Sequence, residues 1–168
     1  MYRKLSFFLL PVFAVFFLVS SDAQQHKLTL EDIYSKNLYR SKGFGPVRWM
    51  KDNKGYSTLE MNAAANGNDI VRYDVAGGTR TVLVNATRLQ APGAVKPLSI
   101  ADYTWSDDNS KLLVFTNTRK VWRLNSRGDY WVLDLANGRL RQLGRGLEEA
   151  TLMFAKFSPD GSRVAYVS

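Results

Sequence analysis

The sequence predicts an all-β fold for most of the chain, and three observations support this prediction. Beyond residue 45, apolar and polar side chains alternate, and a period of two is typical of β-strands. Turn sequences rich in Asp, Asn and Gly separate the alternating segments. An aromatic-to-turn unit also recurs along the chain, which is the signature of a repeat architecture.

The alternation is clearest at three places. Val47 and Trp49 flank Arg48, and the segments 71–75 and 130–135 show the same period of two. Turns are predicted between the strands, at 52–55, 76–78, 107–109, 136–138 and 159–161. No segment after residue 45 shows a convincing helical period, so we expect this part of the chain to consist of strands and turns.

Two landmarks recur in the same order. The first is an aromatic residue followed three positions later by a turn Asp; its copies start at Trp49, Trp105 and Phe157, 56 and 52 residues apart. The second is the segment 73–78, which recurs 60 residues later as 133–138. One repeat therefore holds about four short strands, which is the content of a β-propeller blade. A β-sandwich can contain such hairpin turns, but two landmarks in a fixed order favour the propeller.

We therefore predict a partial β-propeller of about two and a half four-stranded blades, preceded by a signal peptide and a short helix. The blades are expected at about 46–84, 100–143 and 151–168, within one incomplete propeller domain at 46–168. Because a closed ring needs at least about four blades, we expect the rest of the propeller in a longer parent protein.

The first residues have the composition of a secretory signal peptide. Arg3 and Lys4 precede a 15-residue apolar run, and the small residues near Ala23 suit a signal peptidase. The run is shorter than the about 20 residues of a membrane span, although an uncleaved anchor stays an alternative. We predict a signal peptide at 1–23, so the mature chain is expected in the periplasm or outside the cell.

A lead segment at 24–45 is predicted to connect the signal peptide to the first blade. Residues 29–39 are expected to form a short helix, with Thr29 as N-cap and acidic residues in the first turn.

Composition restricts the chemistry of the chain. It has no cysteine, which excludes disulfides, thiolate metal sites and a thiol nucleophile. Its one histidine, His26, lies near the chain start, and we assign it no catalytic role. We expect no cofactor and no metal. The formal net charge is +8, but the cations are scattered, which indicates a solvated surface and no nucleic-acid partner.

Several segments resemble the N-terminal region of dipeptidyl peptidase IV and its bacterial relatives in the prolyl oligopeptidase family. Lys120–Arg123, followed by 129–135, is similar to the second-blade region of those proteins. Residues 28–33 resemble the segment that precedes their propeller, and 103–108 and 157–161 resemble their blade openings. The resemblance covers nearly the whole mature chain.

The resemblance implies an eight-bladed propeller that caps a C-terminal α/β-hydrolase domain. Such a pair forms a serine exopeptidase that releases N-terminal dipeptides with proline or alanine in second place. By match, Arg123 is a substrate-binding residue that holds a backbone carbonyl of the peptide, a role that the several donors of a guanidinium suit. From the residues alone, without the family resemblance, we expect Arg123 to be a solvent-exposed arginine. It would lie on a basic hairpin arm that also carries Arg119, Lys120 and Arg127.

The family also reads the free amino terminus of its substrate with a pair of glutamates beside an Asp-Trp element. Glu148 and Glu149 lack that context and precede the third blade, so we expect them in a solvated loop. The sequence has no Gly-x-Ser-x-Gly nucleophile elbow and no downstream Asp and His of a triad. We therefore expect no catalytic residue in this chain and assign hydrolysis to the hydrolase domain of a parent protein.

Two functions follow as alternatives. The first is the propeller portion of an exported dipeptidyl peptidase IV-like enzyme. Its substrates would be peptides with proline or alanine in second place. Its structural partner would be the C-terminal hydrolase domain, and the full-length protein could form a homodimer. A tripeptide-releasing relative would share most of these features. The second is a non-catalytic periplasmic propeller that binds a protein or peptide partner.

Overall fold

The computed structural model describes residues 28–41 and 45–168. The chain divides into two compact units, 1–42 and 43–168, and each is described by itself. The predicted signal peptide and His26 lie outside the described residues. None of the helical segments within 28–41 or 45–168 has the length and apolar character needed to cross a lipid bilayer.

Within residues 28–41 the structure shows a helical turn at Glu31–Ser35, where the sequence predicts a helix over 29–39. Thr29 caps the turn as predicted, because its Oγ1 accepts the backbone N–H of Asp32 at 3.1 Å. The turn ends early because Asn37 adopts a left-handed backbone conformation with φ of 52°, which a helix cannot continue.

The second unit consists of antiparallel strands, which confirms the all-β prediction. The strands of the first blade are β1 Arg48–Trp49, β2 Gly55–Asn62, β3 Gly67–Asp74 and β4 Arg80–Val84. Those of the second blade are β5 Asp102–Trp105, β6 Lys111–Val121, β7 Leu124–Asp134 and β8 Leu140–Gln142. They are followed by β9 Leu152–Phe157 and β10 Val164–Val167, and one 3-10 turn, Ala86–Leu89, follows β4.

The strand pairing confirms the partial propeller. Strands β1 to β4 form one four-stranded sheet in sequence order. Strands β5 to β8 form a second sheet in the same order, and the β9–β10 hairpin begins a third unit. This hairpin joins the second sheet because Leu152 and Met153 of β9 pair with Gly128 and Arg127 of β7.

The predicted repeat recurs as one turn geometry. At each copy the residue after the aromatic donates its backbone N–H to a carbonyl five residues later, at 2.9 Å; the pairs are Met50 to Gly55, Ser106 to Lys111 and Ser158 to Arg163. The turn carboxylate accepts the N–H two residues on at 3.0 Å in all three copies, Asp52, Asp108 and Asp160. The second landmark repeats too, because the backbone N–H groups of Asp74 and Asp134 donate to the carbonyls of Thr79 and Arg139 at 3.0 Å.

Strand β6 is apolar on both faces because a blade packs against a neighbour on each side. Leu112 and Val114 join a buried cluster shared with the first sheet, which includes Ile70 and Val84. Leu113 points to the other face and packs in a second cluster, with Tyr130, Val132, Leu143 and Leu152. Burial of this apolar surface is the main force that holds successive blades together.

Buried hydrogen bonds fix the first two blades to each other. The fully buried Oγ of Ser57 on β2 accepts the Tyr103 hydroxyl at 3.0 Å and the Trp105 indole N–H at 2.9 Å. Burial raises the pKa of Tyr103 to about 12, and the hydrogen bond to Ser57 opposes this shift only in part. Arg48 adds a hydrogen bond to the Tyr103 carbonyl at 3.0 Å and an ion pair with Asp102.

Candidate functional site at the tip of the β6–β7 arm

Strands β6 and β7 continue beyond their sheet as a two-stranded arm, which we define as residues 117–127. The strands pair as far as Val121 and Leu124, so Trp122 and Arg123 form a two-residue turn at the tip. Arg123 is exposed there. The guanidinium that the sequence analysis singles out therefore projects from the end of the arm rather than lying within the blade.

A buried carboxylate anchors the base of the arm. Asp129, 9% exposed, accepts the Asn117 side-chain amide at 2.8 Å through one oxygen and the backbone N–H of Ala150 at 2.8 Å through the other. Asn117 has a φ of 47°, and the pairing register of β6 and β7 shifts between Thr116 and Arg119. The carboxylate therefore holds the residue at which β6 leaves the regular sheet.

Tight packing sets the direction in which the arm leaves the blade. The Phe115 and Tyr130 rings stack at a centroid distance of 4.6 Å and an interplanar angle of 27°. Gly128 lies against this stack, and a Cβ there would approach Phe115 Cε2 to 2.4 Å and the Thr116 carbonyl oxygen to 2.7 Å. Burial raises the pKa of the Tyr130 phenol. The absence of a side chain at Gly128 allows the two strands to approach each other here.

The arm is strongly cationic. Arg119 pairs directly with Arg127 across the two strands, and Lys120 and Arg123 lie nearby. No ion pair within residues 28–41 and 45–168 neutralises any of these four side chains. Like charges at directly opposed strand positions destabilise a sheet. Because these four charges have no ion-pair partner among the described residues, the arm presents a local positive field that favours electronegative groups.

The tip is also apolar. Trp122 is 95% exposed, Leu124 is 73% exposed and Phe154 of β9 is 63% exposed. Together with Val121, Arg123 and Ser126 they line an open cavity of about 430 Å³. Trp122 and Phe154 have φ values of 59° and 56°, a region that bulky residues rarely occupy. Such strained conformations cluster at functional sites.

The other residues considered in the sequence lie elsewhere. Glu148 and Glu149 are exposed in the loop between β8 and β9, as predicted. Across the part of the chain that the structure describes, no three His, Cys, Asp or Glu side chains gather in a way that could hold a metal ion. Phe154 is not predictable from the sequence as part of this site, because a residue 31 positions from Arg123 gives no local signal that β9 brings it to the arm.

Comparisons with known proteins find relatives of one family. A family model described as "Dipeptidyl peptidase IV (DPP IV) N-terminal region" matches residues 106–168, which include the whole arm. A probable dipeptidyl-aminopeptidase B from Tuber melanosporum is 30% identical over 145 residues, which are 84% of this chain and 16% of that protein. Human prolyl endopeptidase FAP is 29% identical over 150 residues, 88% of this chain and 17% of the relative.

A solved structure gives the same result. The crystal structure of Porphyromonas gingivalis dipeptidyl peptidase 4 matches with a TM-score of 0.65 and 30% sequence identity, covering 84% of this chain and 19% of that chain. The chain thus spans less than a fifth of the length of each of these relatives. The comparisons confirm the resemblance drawn from the Trp-Arg element and the blade openings.

Proposed function

We propose that this chain, which carries the N-terminal region of the dipeptidyl peptidase IV family, supplies part of the substrate-access propeller of an exported serine exopeptidase. The parent protein would release N-terminal dipeptides with proline or alanine in second place. Acyl transfer would belong to a C-terminal hydrolase domain, and the full-length protein would have the capacity to form a homodimer. The match of 106–168 to the family carries this proposal.

Within that function, Arg123 would hold a backbone carbonyl of the bound peptide. Its position supports this role, because the guanidinium is exposed at the tip of an anchored arm and makes no hydrogen bond or ion pair with another described residue. A guanidinium offers several donors in a fixed geometry, which suits a carbonyl acceptor.

Steady-state kinetics of the parent protein test the role of Arg123. With a glycyl-prolyl chromogenic substrate, Arg123→Gln is expected to raise KM about ten- to a hundredfold, because a charge-assisted hydrogen bond worth about 1.5–3 kcal/mol is lost. Arg119→Gln is the matched control on the same arm and should change KM less than twofold. Equal effects of the two variants would contradict a specific contact at Arg123.

The isolated chain tests where the active site lies, and the parent protein separates the two alternatives for its function. The 168-residue chain should not hydrolyse the glycyl-prolyl substrate, and turnover would show that we have misplaced the active site. A parent protein that binds peptides but releases no dipeptide would support the non-catalytic periplasmic propeller instead.

Export is a separate part of the proposal and rests on the sequence at 1–23. A fusion of residues 1–30 to alkaline phosphatase, which is active only where disulfides form, tests it in a bacterial host. Phosphatase activity with cleavage after Ala23 is expected. An inactive fusion would contradict export.

A further inference from the structure

We infer that a cavity between the second blade and the opening turn of the third binds a phosphate group, either inorganic phosphate or a phosphate monoester. The cavity measures about 170 Å³, and four cationic side chains line it: Lys111, Arg139, Arg141 and Arg163. We call it the cationic cavity. The β6–β7 hairpin, eleven residues long on each strand, separates it from Arg123 by about 30 Å. The inference is therefore independent of the proposed peptide contact.

The repeated turns and strand β8 bring these cations together from distant parts of the sequence. Lys111 and Arg163 occupy the same place in successive copies of the aromatic-to-turn unit, because the carbonyl of each accepts the N–H of the residue after the aromatic at 2.9 Å. Arg139 and Arg141 lie two positions apart at the start of β8, so their side chains point to the same face. Charges that are scattered in the sequence thus become one cluster in the fold.

The cationic cavity holds more positive charge than its own residues neutralise. Asp134, which pairs with Lys111 across β6 and β7, is the one carboxylate among the lining residues, so four cations against one anion leave a net charge of about +3. None of the ion pairs found within 28–41 and 45–168 includes any of the four cations. Val132, Phe157 and Val164 complete the wall. These apolar side chains displace water and strengthen the field inside.

The contact between the first two blades shows that the fold does not require this charge. The places equivalent to the three cations of the second blade hold neutral residues there: Gly55, Thr79 and Thr81. Arg72 lies beside Gly55, but Asp52 at 2.8 Å and Asp74 at 4.0 Å neutralise it. An arginine that stabilises the contact between blades is therefore paired, whereas the cations of the cationic cavity remain available to a ligand.

The same comparison indicates that the cationic cavity stays accessible beside a complete blade. Thr79 and Thr81 are exposed although all four strands of the second blade are present beside them. Arg139 and Arg141 are exposed as well. We therefore expect the remaining strands of a third blade to leave both arginines accessible in the parent protein.

The donors of the cationic cavity suit a phosphate better than a carboxylate. Three of its four cations are arginines, and a guanidinium can donate two parallel N–H bonds to phosphate oxygens. A phosphate monoester carries a charge of about −1.5 to −2 at pH 7, which offsets most of the excess, whereas a carboxylate supplies one charge. Asn137 adds a neutral donor, because its Oδ1 accepts the Arg139 N–H at 2.9 Å while its amide N–H groups bond to no other described residue.

Isothermal titration calorimetry of the parent protein at constant ionic strength tests the inference with inorganic phosphate and with glycerol 1-phosphate. Arg141→Gln should weaken the binding of both at least about tenfold, because a charge-assisted hydrogen bond is lost. Arg145→Gln is the matched control, because it removes the same charge from an exposed arginine four positions away that does not line the cavity. It should change the affinity less than about twofold. Acetate should bind at least about tenfold more weakly than phosphate.

A second variant and a folding measurement accompany the titration. Arg163→Gln should also weaken phosphate binding, because Arg163 reaches the cavity from the turn of the third blade. Arg141 and Arg163 are exposed, so neither substitution should lower the midpoint of thermal unfolding in phosphate-free buffer. Loss of binding without loss of stability would locate the phosphate in the cationic cavity.

Vesicle co-sedimentation identifies the source of the phosphate group. Vesicles of phosphatidylcholine and phosphatidic acid in equal parts present a phosphate monoester, and vesicles of phosphatidylcholine alone do not. Retention by the first kind, lost in Arg141→Gln but kept in Arg145→Gln, would support the inference with a membrane-anchored phosphate as the ligand. Calorimetric binding without retention would support it with a soluble phosphate compound as the ligand.

Three results would overturn the inference. The first is equal affinity of wild type and Arg141→Gln for both phosphate compounds, including the case in which neither protein binds them. The second is an equal loss of affinity in Arg141→Gln and Arg145→Gln, which would show that the net charge of +8 attracts anions without a defined site. The third is acetate binding as tight as phosphate binding. Because Arg123 takes no part in these measurements, the proposed function stands or falls separately.

Discussion

The central hairpins of the first two blades have the same anchor and differ in what lies beyond it. Asp69 in the first blade accepts the Asn62 amide at 3.1 Å and the Ala86 N–H at 2.7 Å. Asp129 in the second blade makes the equivalent bonds to Asn117 and Ala150. The first hairpin turns at once through 63–66, whereas the second continues into the arm. The arm is therefore an extension grafted onto a repeated scaffold.

The sequence separations measure this difference. Asn62 and Asp69 are seven positions apart, and Asn117 and Asp129 are twelve positions apart. The five additional residues of the second hairpin lengthen both strands and place Trp122 and Arg123 at its tip. Insertions in the loops of a rigid repeat commonly provide the binding surface of repeat proteins. The shared aspartate anchor thus holds the fold, and the proposed function depends on the additional residues of the second hairpin.

Removal of the anchor carboxylate should give the largest effect. Asp129→Ala leaves the buried Ala150 N–H and the Asn117 amide without their acceptor, and we expect a loss of about 3 kcal/mol in the free energy of unfolding. Asp69→Ala should cost a similar amount, because its bonds and burial are equivalent. Urea denaturation measures both variants.

Limited trypsin digestion then distinguishes the two hairpins. Arg119, Lys120 and Arg123 are cleavage sites on the arm, and Asp129→Ala should speed their cleavage well beyond Asp69→Ala at equal stability. Equal cleavage of the arm in the two variants would mean that Asp129 stabilises the blade without positioning the arm.

A smaller effect is expected where the second hairpin leaves its sheet. Gly128→Ala would place a methyl group within 2.7 Å of the Thr116 carbonyl oxygen and against the Phe115 ring, and we expect a loss of about 2 kcal/mol. Asn68 occupies the equivalent place in the first blade, and Asn68→Ala should change stability by less than about 0.5 kcal/mol. Thermal unfolding of both variants checks this. A neutral Gly128→Ala would show that the arm does not depend on this close approach.

The sequence predicted the scaffold better than the site, and particular residues show why. The turn residues Asp52, Asp108 and Asp160 bond to their own neighbours, so a local pattern was sufficient to identify three copies of one turn. Arg123 was identified from a motif. Phe154 completes the tip only through the pairing of β9 with β7, a long-range contact that no local pattern records.

The helix of the lead segment shows the same limit. Thr29 was correctly identified as a cap, because capping is a local interaction. The end of the helix was predicted wrongly. Asn37 can adopt either a helical or a left-handed conformation, and its sequence neighbours do not decide between them. Side chains that act on their neighbours are thus predictable, and those that depend on distant strands are not.

A third prediction concerns the contact between the two compared blades. The Tyr103 phenol has a pKa of about 12 against an ordinary value of 10, so the fold favours the protonated form. Its contribution is fully present below pH 10 and is lost as the pH rises from 10 through 12. Tyr103→Phe should cost about 1 kcal/mol at neutral pH, because Ser57 loses one donor.

Urea denaturation between pH 7 and pH 12 isolates this effect. The measured quantity is the difference between wild type and Tyr103→Phe, because the other titratable groups are common to both proteins. This difference should shrink above pH 10. A constant difference would show that Tyr103 is not held in its protonated form between the blades.

The smallest effect distinguishes the turn of the first blade from its later copies. Ser106 and Ser158 donate hydrogen bonds to Asp108 and Asp160, whereas Met50 occupies this place in the first copy. The Ser158 bond, with further bonds from Ser162, lowers the pKa of Asp160 to about 2. Because the lowered pKa favours the carboxylate in the fold, its stabilisation is present above about pH 4 and is lost as the pH falls through 2.

Carboxyl NMR titration measures this directly. The Asp160 midpoint should lie near 2, and Ser158→Ala should raise it towards the ordinary 3.8 because the largest contribution to the shift is removed. Asp52, whose pKa is lowered mainly by the Lys54 backbone N–H and then by Arg72, is the internal control and should titrate unchanged. If Asp160 kept its low midpoint without Ser158, the backbone turn by itself would set the pKa. The serine would then not account for a difference in aspartate pKa between the first turn and its later copies.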